Sequence, residues 1–146
     1  MITTGEWAVF LRESANTARD KIKARLEAEM IMVAAMARQD YIGHERKEWP
    51  PLARSTVDYK RQHGYTGKVS ATDPLLRTGL MRDSVEGGAE GLTGVVGSND
   101  PVAVYQELGT SKIPPRPFIS SAMMESIPAI DHSLELLAVQ MLLPKP

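Results

Sequence analysis

Glu107 stands just before Gly109, and Arg116 follows in a proline-rich stretch; these side chains offer the chain's best-placed opposite charges. A guanidinium can make a forked, charge-assisted contact with a carboxylate, so Glu107 is a candidate partner for Arg116. Glu107 would also suit a general base, but no second carboxylate stands where an acid–base pair needs one. His44, His63 and His132 lie in separate segments without metal-ligand spacing. Ser84, Ser98, Ser111, Ser120 and Ser121 lack a nucleophile elbow. Gly87-Gly88 and Gly91 are not followed by the Gly-Lys-Ser/Thr of a phosphate loop. With no cysteine, thiolate catalysis, disulfides and Cys-ligated zinc are excluded. The expectation is no catalytic residue, no metal and no cofactor. A small hydrolase or nuclease is the lesser reading, one that acidic or histidine residues converging in a pocket would support.

The 146 residues suit one domain, with 42% hydrophobic and 24% charged residues. Two Trp, four Tyr and two Phe leave the core to Leu, Ile, Val, Met and Ala. A net charge of −1 gives no global attraction to nucleic acid. No apolar run reaches membrane-spanning length, and Glu6 and Trp7 stand where a signal peptide carries basic residues. Residence in a reducing cytoplasm, without secretion, is therefore expected.

One long helix is predicted from Thr4 to Tyr41. Thr3 and Glu6 have capping-box spacing, and no proline interrupts the segment. Trp7, Leu11, Ala15, Ala18, Ile22, Leu26, Met30, Val33 and Ala37 form one stripe, expected to be buried. Such a helix is about 55 Å long, more than a compact domain of this size spans. Part of it should project or pack on a neighbouring subunit. Arg19, Lys21, Lys23 and Arg25 interleave with Asp20, Glu27 and Glu29, as on a solvated face.

Gly43 ends that helix. The segment from His44 to Asp73 is polar and irregular, with Trp49-Pro50-Pro51-Leu52, a short helix over Ser55–Gln62, and Gly64 and Gly67. Asp73-Pro74 predicts a helix to Asp83 with Leu76 and Leu80 on one face. The glycines and valines of Ser84–Ser98 predict a β-hairpin turning near Glu90-Gly91. A short helix then runs from Pro101 to Leu108, with Tyr105 and Leu108 inward. Ile113-Pro114-Pro115-Arg116-Pro117 is an extended arm, since its prolines fix φ and remove backbone donors. A last helix, from Phe118 to about Leu143, keeps its apolar spacing across Pro128, as a single kinked helix or as two. The expected fold class is α+β: long N-terminal and C-terminal helices packed with a small antiparallel sheet and short helices. The α+β core spans 49–122 of a single domain covering 1–146.

Several marks resemble, in order, the neck and tail-completion (virion morphogenesis) family of tailed bacteriophages. Trp49-Pro-Pro-Leu52 with Thr56 and Lys60 resembles the family's tryptophan–leucine–threonine–lysine segment. Leu76-Arg-Thr-Gly-Leu80 with Ser84 resembles its leucine–threonine–glycine–leucine helix. Val95-Val-Gly-Ser98 leads to Tyr105, Glu107, Gly109 and Thr110, and Arg116-Pro-Phe118 with Ala122 closes the pattern. The similarity covers Trp49 to Ala122; the loop from Gly64 to Asp73 is longer, and the chain extends beyond Ala122.

The resemblance implies a structural subunit of a homo-oligomeric, hexameric ring in the virion. The ring would join a head-side connector to a tail tube or tail terminator, after assembly in the host bacterial cytoplasm. DNA would pass through its channel, and no membrane would be involved. Tail-terminator or head-closure rings are the alternatives within the same stack. Trp49, Tyr105, Glu107, Arg116, Pro117 and Phe118 are the expected interface residues, with Phe118 anchoring the arm at a subunit boundary.

Overall fold

A computed structural model describes residues 3–64 and 70–142. Gly67 and Leu143, singled out above, lie outside the described residues. The fold is α+β, with helices α1 (Thr4–Met36), α2 (Arg54–His63), α3 (Leu80–Asp83), α4 (Pro101–Leu108) and α5 (Ile119–Leu142). Strands β1 (Val85–Glu90) and β2 (Thr93–Ser98) form one antiparallel hairpin.

The capping box forms as its spacing predicts. Thr3 N–H donates to Glu6 Oε2 at 2.7 Å, and the Thr3 hydroxyl accepts from Glu6 N–H at 3.3 Å. Helix α1 passes at its C-terminal end into a π turn, Ala37–Tyr41, where Ile42 N–H reaches back to Ala37 C=O at 3.2 Å. Together they cover the predicted Thr4–Tyr41 element. Helix α5 runs antiparallel along the second half of α1. Tyr41 meets Glu125, Met36 meets Ser126 and Glu29 meets Ser133. Extrapolated, that register ends α5 beside the middle of α1. Nothing in this pairing covers the first four turns.

The predicted stripe is consequently buried only in its second half. Met30, Val33 and Ala37 are in the core, Ile22 and Leu26 are half-buried, and Trp7, Leu11 and Ala15 are exposed. Among the described residues no element packs on the N-terminal half of the stripe.

The hairpin lies on α1 with Val85, Gly87 and Ala89 of β1 on the inner face, opposite Ser98, Val96 and Gly94 of β2. A Cβ on Gly87 would sit 2.0 Å from Met30 C=O oxygen, so only glycine lets the strand approach this closely. The loop is Gly91-Leu92, with Gly91 at φ +62, which suits a two-residue hairpin turn.

Two expectations require correction. The helix predicted over Pro74–Asp83 is confined to α3. Asp73 accepts from Ser70 N–H at 2.6 Å, Pro74 C=O accepts from Gly43 N–H at 3.0 Å, and Leu75 and Gly79 have positive φ. Leu76 and Leu80 therefore part: Leu76 is buried and Leu80 is 72% exposed. In α4, capped by Asp100 on Val102 N–H at 2.9 Å, the inward residue is Ala103; Tyr105 and Leu108 face out. A small residue there lets α4 sit close to the core, whose largest fully buried side chain is Phe118. Helix α5 is one helix through Pro128.

Candidate assembly surface

The proline arm is locked onto α4. Gly109, at φ +74, turns the chain; a Cβ there would lie 2.8 Å from Pro115 N and 2.9 Å from Ile113 O. Thr110 N–H donates to Ile113 C=O at 2.8 Å, and Arg116 N–H donates to Gln106 C=O at 2.7 Å. The arm thus returns alongside the last turn of the helix it left.

That return brings Glu107 to the start of α5. Its carboxylate accepts from Phe118 N–H at 2.8 Å, Ile119 N–H at 3.0 Å and Ser120 N–H at 2.8 Å, and from the Ser120 hydroxyl. A helix start has unpaired N–H groups and a positive dipole end, and one anionic side chain satisfies both. Glu107 is therefore a cap supplied from another helix, not the partner expected for Arg116.

Arg116 turns instead to the Trp49 segment. Its guanidinium donates to Pro50 C=O at 2.8 Å and Pro51 C=O at 3.4 Å, while Nε is buried without a hydrogen-bond partner. Burial lowers the pKa of this guanidinium. The half-buried Trp49 packs on Tyr41 with ring centroids 6.2 Å apart. The Arg46 guanidinium covers the Tyr41 ring at 3.7 Å, and Tyr41 donates its hydroxyl hydrogen to Glu125 Oε2 at 2.7 Å. Burial, reinforced by that hydrogen bond, pushes the Tyr41 phenol up to about 12.

The candidate residues thus divide. Phe118 is 0% exposed and Arg116 is 4% exposed, both buried within their own chain. Trp49, Glu107 and Pro117 are half-buried around them, and only Tyr105 faces outward. Phe118 is a core anchor for the arm, and its side chain offers nothing to a neighbour.

Among the exposed apolar side chains of the described residues, two surfaces stand out by their position. One is a cleft of ≈ 650 Å³ between α2, the turn before α3, α4 and the arm. Leu52, Tyr59, Leu76, Leu80, Val102 and Ile113 line it, with Arg77 and Lys112 exposed among its lining residues. Lys60 and Arg116 also line it and are buried; Lys60 donates to Asp73 C=O at 2.6 Å, and burial lowers its pKa. No local sequence signal marks this cleft, because its walls come from segments far apart in the chain. The second surface is the projecting half of α1, where Trp7 (50% exposed), Phe10 and Leu11 share one face, Trp7 and Phe10 edge to face at 5.7 Å.

Among the described residues no group of three or more His, Cys, Asp or Glu could hold a metal ion, and no helix is long and apolar enough to cross a membrane. No family model, curated protein or solved structure matches the chain.

Proposed function

We propose that this protein is a structural ring subunit of a tailed-phage neck, completing the tail or joining head to tail around the DNA channel. The observation that carries the reading is surface the chain does not cover by itself. Its longest helix continues an apolar stripe beyond its own core, with Trp7, Phe10 and Leu11 exposed on one face. Surface of that kind belongs to a protein completed by neighbours. The motif residues that resemble the neck family add support, because Trp49-Pro50-Pro51, Glu107, Gly109, Arg116 and Phe118 build one interlocked unit. A rigid unit of this kind suits a subunit that must hold its shape in a stack. A net charge of −1 is compatible with a passage that does not trap DNA.

Negative-stain microscopy and light scattering on the purified protein test the reading, alone and with connector and tail-tube proteins. Closed rings are expected. A chain that stays monomeric at all concentrations and in every mixture refutes it. Tail-terminator and head-closure rings differ in their neighbours, so binding to tail tube or to connector places the ring in the stack.

A further inference from the structure

We propose that the first four turns of α1 from one copy seat in the apolar cleft of a second copy, so that the ring is built head to tail. This rests on the ring reading and names the surfaces that would make it.

The two surfaces lie at opposite ends of a stiff rod. Trp7 and Met36 are 29 residues apart on one helix, about 44 Å. The wall of the cleft is pinned just beyond the far end, where Gly43 N–H donates to Pro74 C=O at 3.0 Å. A chain therefore cannot place its own Trp7 in its own cleft. A second copy can.

The chemistry matches on both sides. The helix presents Trp7, Phe10 and Leu11, and the cleft offers Leu80, Val102 and Ile113. On a helical projection Glu6 and Glu13 fall along one edge of the Trp7–Phe10 face. Arg77 and Lys112 provide exposed positive charge at the cleft, offset in part by Asp73 and Asp100 among its lining residues. Unlike surfaces joined this way give a closed ring when the rotation between copies closes, and an open fibre when it does not.

The chain contains no cysteine, so the contact can be read by disulfide trapping without removing native thiols. Phe10→Cys and Leu80→Cys are made in separate, differently tagged chains, mixed and oxidised. Only a contact between copies yields the mixed dimer. Phe10→Cys mixed with Leu136→Cys, an exposed site on α5 away from the cleft, is the control. A second arm replaces Trp7, Phe10 and Leu11 together with alanine. The expected result is a mixed Phe10–Leu80 cross-link at least tenfold above the control, with assembly lost in the triple variant and its circular dichroism preserved. Rings without preferential cross-linking to position 80, or rings in the triple variant, overturn the helix-in-cleft contact and leave the ring standing. A strictly monomeric wild-type chain without cross-links overturns both.

Discussion

Replacing Glu107 by alanine removes the acceptor from the N-terminus of α5 and leaves three backbone N–H groups to find another. Phe118 is wholly buried, whereas Ser120 is exposed and its N–H can turn to water. An unsatisfied buried donor costs about 1–3 kcal/mol. Loss of the charge at the dipole end adds about 0.3–1 kcal/mol. The expected destabilisation is therefore about 1–4 kcal/mol, a sizeable share of the 5–15 kcal/mol typical of a whole domain. Glu107→Gln keeps an acceptor oxygen and loses the charge, so it should cost about 1 kcal/mol. Urea unfolding followed by circular dichroism, at concentrations where the chain is not assembled, measures both. The cap reasoning fails if Glu107→Ala costs less than about 0.5 kcal/mol, or if the glutamine variant is the more damaging of the two.

Phe118→Ala should cost about 3–5 kcal/mol in the isolated chain; an unchanged urea midpoint would put Phe118 outside the core. Gly87→Ala should destabilise by about 1–3 kcal/mol or lift the hairpin, whereas Gly88→Ala, with nothing within 4 Å of its Cβ position, should cost far less. Equal effects at the two positions would contradict close strand–helix contact. The Tyr41 phenol, pushed up to about 12, sits above its ordinary value near 10. A raised pKa favours the folded state while the group is protonated. The contribution is therefore full below pH 10 and lost as pH rises from about 10 to 12. Tyr41→Phe should flatten the alkaline fall in stability across that window; an unchanged profile would count against this assignment.

Most of the elements were legible because their signals are local. Thr3 and Glu6 mark a helix start, Asp100-Pro101 marks another, and the change to glycine–valine composition after Ser84 marks the hairpin. What failed depended on unlike segments meeting. Asp73-Pro74 has the form of a helix start, but Ser70 takes the aspartate and Gly43 takes the proline carbonyl. Tyr105 and Leu108 look like core residues by type, yet Ala103 fits the space against the core. Glu107 and Arg116 were wrongly joined, since the carboxylate serves a helix terminus and the guanidinium serves two proline carbonyls, both within their own chain. That part of α1 projects was anticipated from length, because 1.5 Å per residue outruns a small domain, but Trp7 and Leu11 were expected to be buried and are exposed.

Gly87 has an evolutionary consequence. The hairpin rests on α1 through main-chain atoms, so its height above the helix is set by atomic radii common to every residue. Met30 lies against Gly94 from the side, and its flexible thioether can be exchanged for other unbranched side chains without moving the strand. Exposed hairpin positions such as Leu92 and Val95 are free to drift, whereas Gly87 is held by main-chain contact and Val85 by the core. Descendants of this sequence should vary at the exposed hairpin positions and hardly at all at Gly87.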